Sequence, residues 1–305
     1  MPDSGTVVTI GKFDGIHTGH RLLIDNACMH AGQRGLASAV ISFEPHPMRV
    51  LHDEAYRVLY TFPEKKRILS GLGIDYWYAY PFDAAFAQMS PYDFCKWLKE
   101  AMHCRLLITG ETFRFGRNRQ GSTATLAATG GDMGMDVITL PSRVIQDAPV
   151  SSSYIRSLLE NGDAGKAADA LGRPFSITGE VRAGRRLGRR LGFPTANIYP
   201  AEDKFLPKLG VYATAVHFRG AVYNAVTNIG INPTVKPEDE TLAQKNPFEQ
   251  NTSCKVESYI LDFDEDAYGE EIIVELRKFI RPEQKFAHLD ELKQRIALDV
   301  QESRQ

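Results

Sequence analysis

Thr6-Val7-Val8-Thr9-Ile10-Gly11-Lys12-Phe13-Asp14-Gly15-Ile16-His17-Thr18-Gly19-His20 begins as a β-branched strand and becomes a loop with a glycine at every fourth position. Arg21–Ala31 then repeats apolar Leu22, Leu23, Ala27 and Ala31 at helical spacing. A strand that turns through glycines into a helix opens an α/β sheet, and such sheets bind ligands outside the carboxyl ends of their strands. The glycines let the backbone turn sharply and approach a ligand closely. The helix start offers unpaired N–H groups and partial positive charge to a phosphate. His17 and His20 can point at one phosphate group, where donors on the equatorial oxygens stabilise nucleotidyl transfer. The same tetrad alone is also an ordinary polar loop, and zinc would need a third ligand that the neighbourhood does not suggest.

Working outward, strands are expected at Ala37–Phe43, Ile74–Tyr80, Arg105–Thr109 and Val137–Leu140. Helices are expected at Glu64–Leu72 and from Pro91, capped by Ser90, to about Met102. This alternation implies a doubly wound parallel sheet. Two more helices, Ser151–Glu160 and one capped by Asp163 that runs to Leu171, precede a change of rhythm. Phe175–Val181, Val211–Phe218, Ala221–Asn228, Lys255–Phe263 and Ile272–Phe279 then follow one another without helices. They suggest a small antiparallel barrel, covered by a closing helix with Leu289, Leu292, Ile296 and Val300 on one face. The domain boundary is placed near Gly172-Arg173-Pro174, giving domains 1–171 and 172–305. Pro237–Thr252 is polar and is expected to be a flexible excursion.

Composition narrows the partners. The chain has 305 residues, enough for two cores, and a net charge of -2, so no global field recruits nucleic acid or an acidic membrane. Cys28, Cys95, Cys104 and Cys254 show no CxxC spacing and are expected to be reduced thiols. The start lacks the pattern of a signal peptide, and no apolar run is long enough to span a membrane. A cytoplasmic enzyme is expected. Its oligomeric state cannot be read.

The second half carries its own motif. Arg182-Ala183-Gly184-Arg185-Arg186-Leu187-Gly188-Arg189-Arg190-Leu191-Gly192 combines room for phosphate with positive charge. Thr195 and Asn197, two apart, would share a face of an extended segment and suit a Mg²⁺ that bridges ATP phosphates. A simple turn is the other reading of Pro194-Thr195-Ala196-Asn197.

The opening decapeptide resembles the nucleotide-binding signature of HxGH nucleotidyltransferases, and more closely their FAD synthetase branch. Phe43-Glu44-Pro45-His46-Pro47 and Gly110-Glu111-Thr112-Phe113-Arg114-Phe115-Gly116-Arg117 resemble that branch's second and flavin-side motifs. Ser151-Ser152-Ser153-Tyr154-Ile155-Arg156 resembles its phosphate-gripping motif. Gly192-Phe193-Pro194-Thr195-Ala196-Asn197 is similar to the GFPTAN motif of riboflavin kinase, whose fold is a six-stranded barrel. The resemblance implies His17 and His20 as catalytic groups, with Gly11, Phe13, Asp14, Gly15, Ser152, Ser153 and Arg156 at one ATP. It implies Gly184, Gly188 and Gly192 at the other ATP, and Thr195 and Asn197 at Mg²⁺. Phe113, Arg114, Phe115 and Arg281 are implied at flavin, and Glu257 as general base on the riboflavin 5′-hydroxyl. The chain departs from the pattern at Lys12, where Asn is usual, at Thr112, where Asp is usual, and at Tyr154, where Arg is common.

The resemblance therefore implies a bifunctional enzyme that phosphorylates riboflavin to FMN and adenylylates FMN to FAD. A chain with only the kinase site working and a flavin-binding protein without turnover are the alternatives. The histidine pair, Thr195, Asn197 and Glu257 argue against the binder.

Overall fold

The computed structural model describes residues 2, 4–184, 192–231 and 254–304. The chain divides into two compact units, 1–154 and 155–305. Gly188, Arg185, Arg186, Arg189, Arg190 and the expected excursion Pro237–Thr252 lie outside the described residues.

In the first unit, β1 (Thr6–Ile10) is buried along its whole length and lies at the centre of a parallel sheet. Around it stand β2 (Ala37–Glu44), β3 (Tyr76–Pro81), β4 (Cys104–Gly110) and β5 (Asp136–Leu140), in the order β3-β2-β1-β4-β5. All four pairings are parallel. Helices cover both faces, which is why β1 is apolar on each side. One face packs Val7, Leu106 and Ile108 against Ala27 and Ala31 of α1 (Thr18–Arg34). The other packs Val8, Ile10 and Leu107 with Phe94 and Leu98 of the helix Pro91–Ala101.

The strand order reverses between β1 and β4, so the crevice at their carboxyl ends is the topological switch point where such sheets take ligands. The loop Gly11–His17 leaves β1 there, and the turn that starts at Gly110 leaves β4. Most elements match the sequence expectation within a few residues. The helix Thr123–Asp132 does not, since its Thr-Ala-Thr start and Gly130-Gly131 are poor helix formers; Ser122 caps it by accepting from Thr125 N.

The second unit is a six-stranded sheet in the order β8-β13-β10-β11-β12-β9. Its strands are β8 (Ser176–Glu180), β9 (Ala196–Ile198), β10 (Gly210–Phe218), β11 (Ala221–Ile231), β12 (Cys254–Ile260) and β13 (Glu271–Arg281). Every pairing is antiparallel. A bridge between Arg182 and Asn197 brings the two ends of the sheet together and closes the barrel. The closing helix Leu289–Ser303 lies over β10, β11 and β13. Its packing corrects the expectation, because Leu289 is exposed at its first turn while the charged Asp299 is buried.

The units meet seventeen residues before the expected boundary, since Ile155–Leu171 pack with the barrel. Ile155, Leu158 and Leu159 are buried, and the Lys208 N–H donates to the Leu159 carbonyl at 2.8 Å. Gly162, with φ +87°, fits beneath the Phe279 ring, where a Cβ would come within 3.2 Å. A fragment 151–305, which keeps the Ser151 cap on Tyr154 N, should therefore melt cooperatively and stay soluble. Fragment 172–305, stripped of these apolar side chains, should melt lower and precipitate more readily. Equal melting temperatures by circular dichroism would show that the two helices contribute nothing to the barrel.

Candidate active sites

At the switch point, His17 is the N-cap of α1, and its Nδ1 accepts the His20 N–H at 3.2 Å. That bond makes Nε2 the ring's N–H donor in the neutral form. The His17 and His20 rings stack with centroids 3.7 Å apart and 17° between planes, so the two expected groups do come together. Gly19 makes this possible, since a Cβ there would press on the His17 ring at 3.2 Å. Phe13 and Ile16 take positive φ, of 47° and 43°, and both are buried. Backbone strain of that kind costs about 1–3 kcal/mol per residue and persists only where the surroundings impose it.

The surroundings are identifiable. Asp14, 1% exposed, accepts the Leu59 N–H at 2.7 Å and the Tyr56 hydroxyl at 3.2 Å. Its carbonyl accepts the Ser152 hydroxyl at 2.7 Å. Tyr56 stacks on His46, whose Nδ1 accepts from Met48 N. Motifs from the ends of β1 and β2 and from the start of the helix Ser152–Asn161 thus meet on one loop. The Phe13 ring is in the core, beside His20 at 5.0 Å, so any nucleotide contact at Phe13 or Asp14 would come from backbone. Gly11 N donates to the Ile41 carbonyl and tethers the loop to β2. Gly15, with φ +90°, supplies the turn, and Ser153 is exposed at the helix start.

The flavin-side turn divides. Phe115 is buried against Phe94, ring centroids 4.6 Å apart, and Gly121 lies tight against its ring. It is a core anchor rather than an exposed contact. Phe113 is half-buried and stacked on it, and Arg114 is exposed with Nη1 donating to the Phe113 carbonyl. Arg156, expected at ATP phosphate, lies in the second unit with its guanidinium 4.7 Å from the Phe205 ring centroid.

In the barrel, strand register assembles the second site. Asn197 stands opposite Glu257, and Glu257 stands opposite Asn228. Directly opposed residues of antiparallel strands share a face, with Cβ atoms about 5 Å apart. The Asn197 amide donates Nδ2–H to the Thr195 carbonyl at 3.2 Å, while its Oδ1 is buried without a hydrogen-bond partner among the described residues. Gly184 is required here, because a Cβ would come within 2.7 Å of Asn197 Nδ2. Gly192 has φ +88°, and among the described residues no atom lies within 4 Å of where a Cβ would stand. Glu257 Oε1 accepts from Lys255 Nζ at 2.7 Å. Lys255 was passed over although its place two residues before Glu257 on one strand gives it the same face, while only the register reveals that Asn228 neighbours Glu257.

Arg281 is placed differently from expectation. It is buried, and its Nε and Nη2 grip both oxygens of Asp299 at 2.6–3.1 Å. Arg295 reaches the same carboxylate at 3.0 Å. With its guanidinium spent on the closing helix, Arg281 is a clasp rather than the flavin contact anticipated.

A doubly wound unit with a histidine-capped helix at its switch point, joined to a barrel with an amide–carboxylate row, defines a two-site transferase acting on phosphate groups. Residues 1–154 match the family model for FAD synthetase, and residues 171–305 match that for riboflavin kinase. A bifunctional riboflavin kinase/FMN adenylyltransferase of Listeria monocytogenes is 34% identical over 304 residues, covering 99% of this chain and 92% of that protein. The Escherichia coli K12 protein of that name is 37% identical over 301 residues, 98% and 91% of the two chains. A solved structure described as a macrolide-efflux protein from Streptococcus pneumoniae superposes with a TM-score of 0.87 at 28% identity, covering 100% of this chain and 95% of that one. Among the described residues no helix is long and apolar enough to cross a membrane. The chain belongs to the bifunctional riboflavin kinase/FMN adenylyltransferase family, enzymes of flavin-cofactor synthesis with ATP as co-substrate.

The Arg281 placement yields a direct test. Asp299→Asn should destabilise the barrel by about 3–5 kcal/mol in urea unfolding, because it leaves a buried guanidinium without its counter-charge. The pair Arg281→Met with Asp299→Leu should recover much of that loss and leave the KM for riboflavin within about twofold, the range of a contact not made. A large rise in KM in the double variant would restore Arg281 to the flavin.

Proposed function

We propose that the α/β unit adenylylates FMN and the barrel phosphorylates riboflavin, each with its own ATP. What carries this reading is that each unit gathers one complete set of polar groups at one place, the stacked histidine pair in the first and the Asn197–Glu257 row in the second. The two sets lie in different compact units, 1–154 and 155–305, so the two activities separate between them.

In adenylyl transfer an FMN phosphate oxygen attacks the α-phosphorus of ATP, and the bond to the β-phosphate oxygen breaks to release pyrophosphate. Negative charge accumulates on the α-phosphoryl oxygens. His17 Nε2–H, the His20 ring and the partial positive charge at the start of α1 meet that charge without reorganising. On this reading Ser153, exposed at its own helix start, binds a phosphate oxygen, and Phe113 and Arg114 line the flavin side.

In riboflavin phosphorylation Glu257 takes the 5′-hydroxyl proton as the oxygen attacks the γ-phosphorus. The buried, unpaired Asn197 Oδ1 suits a hard cation, and Thr195 offers a second oxygen close by. Asn197 and Thr195 would hold Mg²⁺ there, and the ion would offset the negative charge of the ATP phosphates. Gly184 and Gly192 let the backbone lie close to those phosphates, and the intervening Gly188 belongs to the same reading. Burial pushes the Cys95 thiol up to about 11 and the Cys104 thiol up to about 12, so both are unreactive. A cytoplasmic setting with riboflavin, FMN and ATP as substrates belongs to the same proposal.

Single substitutions should split the activities. His17→Ala and His20→Ala should each slow FAD formation by about two to three orders of magnitude, as for other lost transition-state donors, while FMN accumulates. Glu257→Gln should slow riboflavin phosphorylation by about two to four orders of magnitude, the range of general-base catalysis, and leave adenylylation of supplied FMN intact. Product chromatography after incubation with riboflavin, ATP and Mg²⁺ reads both. Loss of both activities in one folded variant would contradict the division between units.

A further inference from the structure

We infer that Lys255 is a positioning residue for riboflavin phosphorylation, holding the Glu257 carboxylate in the orientation from which it takes the 5′-hydroxyl proton. This rests on the assignment of Glu257 as the base. The two residues stand two apart on β12 and so share a face of the strand. The Lys255 ammonium donates to Glu257 Oε1 at 2.7 Å, a charge-assisted bond at the short end of its range.

The pair is asymmetric, and the asymmetry gives it direction. The Lys255 side chain is 9% exposed and the Glu257 side chain 37%. A buried ammonium has no water to turn to, so its attraction for the carboxylate is little screened and it stays where its stem is packed. Glu257 could otherwise sample several rotamers at the barrel surface. With Oε1 drawn inward to Lys255, Oε2 remains as the oxygen available to substrate. Asn197 and Asn228 stand opposite Glu257 on the two neighbouring strands.

The chemical step balances with Lys255 as a spectator to bond making. The proton passes from the riboflavin 5′-hydroxyl to Glu257 Oε2. The 5′-oxygen bonds to the γ-phosphorus, and the bond from that phosphorus to the β,γ-bridging oxygen breaks, its electron pair leaving with ADP. Lys255 keeps its protons throughout. Its contribution is geometric, and geometry at a proton-accepting group is steep in its effect: displacement by about 1 Å costs about a hundredfold in rate. A purely structural ion pair at this place would instead act on stability alone.

The test compares Lys255→Met, Lys255→Gln, Glu257→Gln and Lys255→Met combined with Glu257→Gln in the full chain, with kcat and KM for riboflavin at saturating ATP and Mg²⁺. Circular dichroism and FAD formation from supplied FMN report folding of each preparation, and the Gln variant stands in should Met fold poorly. Lys255→Met is expected to lower kcat by about ten- to a hundredfold with KM for riboflavin little changed. In the Glu257→Gln background the same substitution should cost less than about twofold, because residues that act through one another are not additive. If Glu257→Gln is inactive while both Lys255 variants keep the parent kcat, the base assignment stands and the positioning role is overturned. An additive loss in the double variant, or a rise in KM with kcat intact, also overturns it. If Glu257→Gln keeps its activity, the base assignment itself fails and the role of Lys255 falls with it.

Discussion

A charged group inside a protein must be met by partners or it costs several kcal/mol, and each unit is arranged around a buried carboxylate that is met. In the α/β unit that group is Asp14. Its two oxygens hold the Leu59 amide and the Tyr56 hydroxyl, drawing the segment after β2 onto the loop after β1. In the barrel it is Asp299, which takes Arg281 from the last strand and Arg295 from its own helix. Each is 1% exposed and fixes backbone from within, the loop after β1 in one unit and the closing helix in the other.

The consequence for the first site is a loop with little freedom. Positive φ at Phe13 and Ile16 is unfavourable for residues with a Cβ, yet both side chains are locked in the core with Ile24, Val40 and Leu69. Apolar burial, the Asp14 bonds and the Ser152 hydroxyl together hold His17 at the helix cap. Catalytic hydrogen-bond donors work best when they need not move to meet developing charge. The core residues of this loop therefore contribute to function by keeping the two rings stacked at the end of β1.

Much of this was legible in the sequence because the signals were local. β1 is visible as a β-branched run, α1 by its apolar spacing, and both sites by their glycines and polar residues. Element ends were off by up to three residues, and the Thr- and Gly-rich helix Thr123–Asp132 escaped because its local propensity is weak. Long-range relations were hidden. Nothing in the spacing of Asn228 and Asn197 says that register places them beside Glu257, whereas Lys255, two residues before it, could have been read from strand periodicity. Arg281 followed the same logic: an arginine near a motif suggests a ligand, and only the buried Asp299, eighteen residues on, shows where its charge is used. Phe115 looked like a flavin contact for want of knowing that Phe94 was waiting beneath it.

The three departures from the family pattern can be weighed by what each side chain does. Thr112 is exposed, and the turn beside it is held by its neighbour, since Glu111 accepts the Ser142 N–H at 2.9 Å and that bond keeps its carboxyl below the usual range. Glu111 is thus already engaged and cannot stand in for an acid at 112. Tyr154 ties the helix start through its backbone N–H to Ser151, a bond that any residue there could make. Lys12 lies on the loop itself, where desolvation and then Arg119 lower the pKa of its ammonium, while Asp14 opposes them. A cation that its surroundings disfavour gains from any anion brought near, and a nucleotide triphosphate is such an anion. At all three positions the frame is carried by other atoms. Variation there can change how ligands are held while leaving the loop, the cap and the histidine pair in place.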